Sequence, residues 1–457
     1  MKKNGASREA IPELVGRADD MAYVMNCIQE ANCCSIVGVS NIGKSTLLRA
    51  LAQPASLKRH LGSAAERYLL VYVDFNLVLQ ITEQGFCELI LRNTLELLTA
   101  RPADAELRTS IERAYQQVIN PSSPLMISLA FENSLEAIGG QQRRMLVLLF
   151  DEFDGIFSQI EPQVFVRLRA LKDKHCTQLC YVTATDRPLG EIRHERPAGE
   201  FCELFEGHTR HLAPLVEEDA RALVSHWATQ ASVKLSPEGV GFVLGRAGGH
   251  PGLLQTTCRV LAKSREEAAW RPKAEGYDSV RERLDSDPSV RLECAKLWSD
   301  LGRRDQDALV ALSAGEDVAL DSLLEKGIVH RQDSSFVIFG KQFADFVQRQ
   351  RMVRRLEPRG VRMDVEAGDV WVDGKLSATL TELEYKLLLL LYGNLGKICD
   401  KYKVVEAVWG ESYIDEVDDA RIEKLVSRLR EKIEPNPEEP RYLLTVRGRG
   451  YKLVAPE

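Results

Sequence analysis

"GVSNIGKST", residues 38–46, follows a short apolar run and precedes a segment predicted to be helical from Lys44. The stretch fits the spacing GxxxxGK[ST], in which backbone N–H groups and a helix N-terminus surround phosphate groups. A chance strand–turn–helix would contain the same elements without binding anything. The spacing predicts an α/β domain that binds ATP or ADP with Mg²⁺, with Lys44 on the β- and γ-phosphates and Ser45 on the metal. The candidate loop residues are Gly38, Asn41, Ile42, Gly43, Lys44, Ser45 and Thr46.

The length of 457 residues is too great for one core and predicts several domains. The formal charge of −7 restricts any anion-binding surface to a local patch. The ten cysteines form no CxxC pair, which favours reduced thiols over disulfides or a metal site. The N-terminus lacks the apolar core of a signal peptide, and the apolar run Leu387–Tyr392 is too short to cross a bilayer. We therefore expect a cytoplasmic protein without membrane contact.

A second apolar run, Met145–Phe150, is apolar on both faces, as a central parallel strand should be, and leads into Asp151 and Glu152. An acidic residue at the carboxyl end of such a strand can hold Mg²⁺, and the next carboxylate can polarise a water molecule. Alone, the run is also explained as a strand entering a loop. Together with the phosphate loop, it predicts Asp151 as the metal ligand beside Ser45 and Glu152 as a catalytic carboxylate.

A third apolar run, Leu179–Thr183, is followed by Thr185, Asp186 and Arg187. Side chains at this strand end are predicted to face the γ-phosphate from the neighbouring strand. Arg187 is a candidate catalytic residue that would neutralise charge in the transition state, as Lys44 would. A surface arginine after a strand explains Arg187 equally well on spacing alone.

The pattern between these motifs predicts a parallel sheet with helices. Residues 68–76 form a further apolar run, which makes at least four strands. Residues 84–140 are predicted to be mostly helical and to form a surface insertion. Lid helices are predicted from Pro214, the second capped by Ser236, and a small winged helix of two helices and a hairpin follows.

Residues 11–350 resemble the AAA+ and STAND classes of ATPase. The opening Val15-Gly16-Arg17 is similar to their hhGR motif, Arg187 to the sensor-1 arginine, and Gly249-His250-Pro251 to the GxP motif that opens a lid helix. The resemblance implies nucleotide contacts from Val15, Gly16, Arg17, Thr185, His250 and Pro251. For Pro251, the first turn of an ordinary helix is the alternative explanation.

The pattern changes beyond the basic stretch 349–360, which lacks periodicity and is predicted to be a linker. Apolar residues then alternate through Val365, Val370 and Val372, with turns at 367–368 and 373–374. Three amphipathic helices follow, and the chain ends in "LTVRGRGYK", residues 444–452. No helix follows this glycine-rich stretch, so it is predicted to be a hairpin and not a second phosphate loop.

The last hundred residues resemble an OmpR/PhoB-type winged helix-turn-helix, through Val408-Trp409-Gly410, Ser427-Arg428-Leu429-Arg430 and the run Thr445 to Tyr451. Nine Lys/Arg against five acidic residues give residues 421–452 a charge of +4. The resemblance implies contacts with double-stranded DNA from the third helix and the wing. A solvated helix face is the alternative, and Leu425 departs from the polar base-reading residue that is frequent in the family. The candidate DNA-binding residues are Arg421, Lys424, Ser427, Arg428, Arg430, Thr445, Arg447 and Arg449.

These observations predict a multidomain chain with an α/β P-loop NTPase, a helical lid, a small winged helix and a C-terminal winged helix-turn-helix. Its leading function is a slow, Mg²⁺-dependent ATPase of STAND type whose ATP/ADP state controls DNA binding, as in a transcriptional regulator. The chain would form homo-oligomers on binding ATP and respond to an unidentified signal or protein partner. The alternatives are an ATP-driven motor that loads onto DNA and a defence ATPase whose winged helix binds protein. The predicted boundaries are an N-terminal tail 1–14, NTPase 15–212, lid 213–285, winged helix 286–350, linker 351–361 and DNA-binding domain 362–457.

Overall fold

The computed structural model describes residues 16–141, 144–230, 235–263, 276–333, 335–356, 360–364, 369–377, 379–410 and 417–454. The chain forms two compact units, one that runs to Gln348 and one that begins at Arg349. Among the described residues, the structure contains no helix with the length and apolarity needed to span a membrane.

A five-stranded, fully parallel sheet forms the centre of the first unit. The strands are β1 Cys34–Val37, β2 Tyr68–Asp74, β3 Met145–Asp151, β4 Leu179–Thr185 and β5 Thr209–His211. Their order is β2-β3-β4-β1-β5, and every residue of β3 and β4 is buried. The predicted parallel α/β sheet is therefore confirmed. Val37 pairs with Thr185 and Asp74 with Asp151, which aligns the carboxyl ends of these strands at one edge.

Helices cover both faces of this sheet. On one face, α1 (Ala18–Gln29) and α2 (Lys44–Leu51) pack beside the phosphate loop and share a core with the region after β5. On the other face, α4 (Glu83–Thr99), α5 (Ala105–Ile119) and α6 (Pro124–Glu136) bury residues such as Phe86, Ile111 and Phe131 against β2 and β3. The 84–140 region is helical as predicted, but it supplies a core layer and is not a surface insertion. The helices are α1 Ala18–Gln29, α2 Lys44–Leu51, α3 Pro54–Leu61, α4 Glu83–Thr99, α5 Ala105–Ile119, α6 Pro124–Glu136, α7 Phe153–Gln159, α8 Gln163–Lys174, α9 Leu189–Ile192 and α10 Arg196–Cys202.

The described residues of the first unit after β5 form helices and a hairpin, β6 Val329–Gln332 with β7 Ser335–Ile338. Ser236 caps its second helix by accepting a hydrogen bond from the Gly239 N–H, as predicted. Buried residues of this region, including Leu253, Leu297 and Phe343, belong to the same core as β1 and α2. The helices are α11 Glu217–Gln230, α12 Pro237–Ala247, α13 Pro251–Lys263, α14 Gly276–Ser286, α15 Pro288–Asp300, α16 Arg303–Ser313, α17 Asp321–Glu325 and α18 Lys341–Leu356.

The basic stretch 349–360, which lacks periodicity in the sequence and is predicted to be a linker, is helical as far as Leu356, because α18 continues into it. Residues 357–359, Val365 and the turn predicted at 367–368 lie outside the described residues. The predicted turn at Asp373-Gly374 is present between two strands of the second unit, with φ of 50° and 76°.

In the second unit, the residues that the structure describes form a three-stranded sheet, three helices and a C-terminal hairpin around a core of their own. Thr381 and Glu384 form a capping box at the start of its first helix. The predicted wing is confirmed, since the last two strands pair antiparallel around the turn Arg447-Gly448-Arg449. The elements are β8 Val361–Asp364, β9 Asp369–Val372, β10 Lys375–Leu376, α19 Glu382–Tyr392, α20 Lys401–Trp409, α21 Asp419–Ile433, β11 Leu443–Val446 and β12 Gly450–Leu453.

Candidate functional site

The loop between β1 and α2 has the backbone of a phosphate-binding nest. Asn41 and Gly43 adopt left-handed conformations, with φ of 58° and 109°, and α2 begins at Lys44 as predicted. Such alternation turns successive N–H groups towards one concavity, and the helix N-terminus adds a positive partial charge. Gly38 has no room for a side chain, because a β-carbon there would lie 2.8 Å from Cγ2 of the buried Ile42.

Lys44 is 7% exposed and lies inside the loop. Its Nζ donates to the Gly38 carbonyl at 2.6 Å and to the Asp186 carboxylate at 2.5 Å. A buried ammonium needs such partners, because burial without them would disfavour its charge. Lys44 is therefore held in the loop by a carbonyl and by the carboxylate of Asp186, a residue at the polar end of β4.

Ser45 and Asp151 are brought together as the metal prediction requires. The Ser45 hydroxyl donates to Oδ1 of Asp151 at 3.1 Å, and Asp151 is fully buried at the end of β3. The other carboxylate oxygen accepts a 2.5 Å hydrogen bond from the Tyr72 hydroxyl, and burial followed by this bond to Asp151 raises the pKa of Tyr72. Arg49 donates to the same hydroxyl at 3.0 Å. Sequence reasoning missed Tyr72, although its place two residues before the polar end of β2 was an available signal.

Glu152 follows Asp151 with a left-handed backbone, φ 54°, and an exposed side chain. A non-glycine residue in this region is strained, and such strain clusters at functional sites. Although the residue as a whole is exposed, partial desolvation of its carboxyl first, and the charge of Asp151 second, raise the pKa of Glu152. The carboxylate is thus a better proton acceptor than an isolated surface glutamate.

The end of β4 places Thr185 at the same sheet edge. Its hydroxyl is fully buried and makes no hydrogen bond within the described part of the chain, which is unusual for a buried polar atom. The next residue, Asp186, is held by its N–H, which donates to Asp154 at 3.0 Å. Burial and then the charge of Asp186 raise the pKa of Asp154 to about 6. Arg187 is exposed.

Arg17 and His250 hold the phosphate loop from outside. The Arg17 guanidinium donates to the Ile42 carbonyl at 2.8 Å and to the Ala213 carbonyl at 2.7 Å. His250 is fully buried, donates from Nε2 to the Ser40 carbonyl at 3.1 Å, and accepts the Leu253 N–H at Nδ1. Burial lowers the pKa of His250 to about 3, so the imidazole is neutral.

Four other residues were predicted to contact the nucleotide: Val15, Gly16, Thr46 and Pro251. Gly16 has a φ of 79°, and a β-carbon there would lie 2.8 Å from Cβ of Asp219. Pro251 begins α13 and is half-buried, which is also its ordinary role at a helix start. Val15 lies outside the described residues, and Thr46 is exposed on α2.

Two acidic residues of α15 complete the loop's surroundings, and sequence reasoning missed both. Asp300 accepts a 2.6 Å hydrogen bond from the Ser40 N–H, and Glu293 accepts from the Asn41 side chain at 2.8 and 3.0 Å. The seven-residue spacing places both carboxylates on one face of the helix. Nothing local in the sequence indicates these contacts, because each joins residues more than 250 positions apart.

In the second unit, most predicted DNA-binding side chains lie on exposed surfaces. Arg421, Lys424, Ser427 and Arg428 are exposed along α21, with spacings of three and four residues that place them on one side. The Arg421 guanidinium lies 5.8 Å from the centre of the Trp409 ring. Leu425 is 7% exposed and belongs to the core, which accounts for the apolar residue at that position.

Arg430 differs from these cations because its guanidinium is used inside the unit. It donates to the Leu443 carbonyl at 2.7 Å and to the Thr445 hydroxyl at 2.8 Å, and so ties α21 to the wing. Arg447 and Arg449 are exposed on either side of Gly448 in the wing turn. Arg430 and Thr445 thus position the wing, while the turn presents two cations.

Comparison with known proteins adds family information for the second unit. Residues 375–453 match the family described as transcriptional regulatory protein, C terminal. Sensory transduction protein RegX3 of Mycobacterium tuberculosis is 43% identical over 98 residues, which are 21% of this chain and 42% of RegX3. The chain therefore spans less than half the length of this relative.

Two solved structures are similar to a larger share of the chain at low identity. A Walker-type ATPase of Pyrococcus abyssi covers 73% of this chain and 96% of its own, with 12% identity and a TM-score of 0.45. The ORC2 protein of Aeropyrum pernix covers 77% of this chain and 98% of its own, with 16% identity and a TM-score of 0.44. The fold assignment of the first unit rests on its strand order and loop geometry. Residues 375–453 are an OmpR/PhoB-type C-terminal domain of transcriptional regulatory proteins, and the same chain contains a P-loop NTPase fold in its first unit.

Proposed function

We propose that the protein is a DNA-binding transcriptional regulator whose nucleotide state, ATP or ADP, controls its affinity for DNA. The observation that carries the proposal is the presence, in one chain, of a phosphate loop with a Ser45–Asp151 oxygen pair and an OmpR/PhoB-type winged helix. We further propose that the protein hydrolyses ATP slowly and that its ATP and ADP states form a STAND-type switch.

The residues at the loop suit MgATP. The Ser45 hydroxyl and Asp151 carboxylate are hard oxygen donors 3.1 Å apart, which is the ligand chemistry that Mg²⁺ prefers. Bound Mg²⁺ would neutralise charge on the phosphate oxygens. Tyr72 orients the Asp151 carboxylate, and Lys44 supplies a positive charge to the β- and γ-phosphates.

Glu152 and Thr185 suit the water side of the reaction. The raised pKa of Glu152 makes it the candidate to accept a proton from an attacking water molecule. The unpaired Thr185 hydroxyl can donate to a phosphate oxygen or hold that water. We also propose that Arg187 neutralises charge in the transition state. Its side chain is exposed, is long, and follows the end of β4.

The DNA interface of the proposal consists of α21 and the wing turn. Arg421, Lys424, Ser427 and Arg428 offer donors for the major groove, and Arg447 and Arg449 offer cations for flanking phosphates. Because Leu425 is in the core, we propose that base recognition depends on few side chains and that phosphate contacts supply much of the affinity.

Two binding measurements test the separate halves of the proposal. Wild type should bind ATP and ADP in calorimetry with Mg²⁺, and Lys44→Ala should lose at least about tenfold in affinity. Duplex DNA binding should weaken as salt rises, and Arg447→Ala should reduce the salt slope by about 1. The matched control is Arg196→Ala, whose side chain is 91% exposed on α10. Nucleotide binding that is unchanged in Lys44→Ala, or DNA binding that is indifferent to salt, refutes the corresponding half.

A further inference from the structure

The carboxylates of Asp300 and Asp186 lie against the groups of the loop that bind phosphate. Asp300 holds the Ser40 N–H at 2.6 Å, and Asp186 holds the Lys44 ammonium at 2.5 Å. Both groups are ones with which a phosphate loop binds its ligand, the N–H as a donor and the lysine on the β- and γ-phosphates. Two negative side chains are thus bonded to the positive end of the proposed nucleotide site.

The carboxylates of Asp300 and Asp186 would repel further negative charge near Lys44. Burial first raises the pKa of Asp300, and the charge of Asp186 raises it further, while Lys44 and the Ser40 N–H lower it. Asp300 therefore faces the same lysine that the terminal phosphates need. An additional anionic phosphoryl group at Lys44 would meet two carboxylates at short range in a partly desolvated site, where like charges repel strongly.

Other contacts fix α15 against the loop, so that the position of Asp300 is set by the fold. Glu293, two turns earlier, is 6% exposed and accepts from the Asn41 side chain. Gly252 of α13 packs into the same corner, since a β-carbon there would lie 2.1 Å from Oε1 of Glu293 and 2.6 Å from Cβ of Asn41. Its N–H donates to the Asn41 carbonyl at 3.2 Å. The helix that carries Asp300 is therefore held against the loop at a second point, two turns earlier.

We propose that Asp300 is a specificity-determining residue that disfavours a nucleoside triphosphate relative to a diphosphate at the loop. The inference rests on the proposed nucleotide function and deepens it. The β-phosphate of either nucleotide approaches Lys44 and competes with Asp186, whereas only the γ-phosphate of a triphosphate also competes with Asp300 for the Ser40 N–H. Binding of ATP thus requires α15 to withdraw from the loop, which turns the presence of one phosphate into a displacement of this helix.

The test compares ADP with a non-hydrolysable ATP analogue by calorimetry on the full chain with Mg²⁺. Asp300→Asn keeps an oxygen that can accept from Ser40 but removes the charge. We expect it to tighten the ATP analogue by about tenfold and to change ADP affinity by less than about twofold. The control, Asp317→Asn, removes a charge from an exposed loop position in the same unit and should change neither affinity.

Hydrogen exchange of the wild-type chain provides a second readout that needs no substitution. Peptides from residues 288–300 should exchange faster with the ATP analogue than with ADP. An unchanged affinity ratio in Asp300→Asn, together with equal protection of α15 by both nucleotides, overturns the inference while leaving nucleotide binding intact. Failure of the wild type to bind either nucleotide refutes the proposed function itself, and the inference with it.

Discussion

Arg17→Ala removes the side chain that joins three parts of the first unit. The guanidinium is 8% exposed and bonds to the Ile42 carbonyl in the phosphate loop, to the Ala213 carbonyl after β5, and to Asp20 on α1 at 3.2 Å. Alanine keeps a β-carbon at a position whose φ is 68°, so the backbone strain is the same in both proteins. The substitution therefore tests the contacts alone.

The expected cost follows from what the substitution leaves unpaired. A hydrogen bond with a charged partner contributes about 1.5–3 kcal/mol, and removing one member of a buried ion pair costs about 3–5 kcal/mol. Two effects reduce the stability loss expected from these contacts. Asp20 retains a 2.7 Å contact with Arg210, and burial of the guanidinium, which lowers the pKa of Arg17, is itself unfavourable. We expect a net loss of about 3 kcal/mol in the free energy of unfolding.

Differential scanning calorimetry measures this loss. For a unit of this size, about 3 kcal/mol corresponds to a decrease in Tm of about 4 °C. Arg17→Lys should recover only part of it, since a single ammonium cannot reproduce the forked geometry of the guanidinium. The control, Arg196→Ala, removes a side chain that is 91% exposed and should leave Tm unchanged. A decrease of less than about 1 °C in Arg17→Ala would refute the reasoning.

Three further substitutions probe other buried contacts. Because burial lowers the pKa of His250 from 6.5 to about 3, its stabilising contribution is present above pH 6.5 and is lost as the pH falls towards 3. The free energy of unfolding of wild type should therefore fall by about 2 kcal/mol between pH 7 and pH 5, and that of His250→Gln should not show this fall. The control, His330→Gln, changes an exposed histidine and should behave like wild type. An equal fall in wild type and His250→Gln would contradict a neutral, buried His250. Tyr72→Phe should lower the free energy of unfolding in urea by about 1.5–3 kcal/mol, since it removes a bond to a buried carboxylate, and a neutral result would count against that bond. Arg430→Ala removes two contacts with the wing and should speed amide hydrogen exchange in residues 443–453 by at least about tenfold. The control, Arg441→Ala, changes an exposed arginine and should leave this exchange unchanged. Equal exchange rates in the two variants would show that Arg430 does not hold the wing.

Much of the fold could be predicted from the sequence because its signals are local. The central strands β3 and β4 are buried on both faces and appear in the sequence as continuous apolar runs. The start of α2 at Lys44 and the wing turn at Gly448 follow from glycine positions that need left-handed backbone. The short strand β5 gave no such signal, because its residues are polar and partly exposed at the sheet edge.

Residue spacing alone predicted the site only where its residues lie next to a strand end or in the loop, whereas Arg17 and His250 were predicted from the family resemblance. Ser45 and Asp151 were found because parallel strands bring their carboxyl ends to one edge. Asp300 and Glu293 were not, since their contacts with the loop depend on how α15 packs, which no spacing rule provides. Arg430 was predicted to contact DNA from its position on α21. In the structure its guanidinium instead donates hydrogen bonds to Leu443 and Thr445 within the same unit.

The central claim is that the nucleotide at the loop changes how the second unit binds DNA. Fluorescence anisotropy of a labelled duplex, titrated with the full chain in the presence of ADP, a non-hydrolysable ATP analogue or no nucleotide, measures this coupling directly. We expect dissociation constants that differ by at least about fivefold between the two nucleotides in wild type, a coupling of about 1 kcal/mol, and no difference in Lys44→Ala. Equal affinities of the wild type in all three conditions, with both nucleotides shown to be bound, would contradict it.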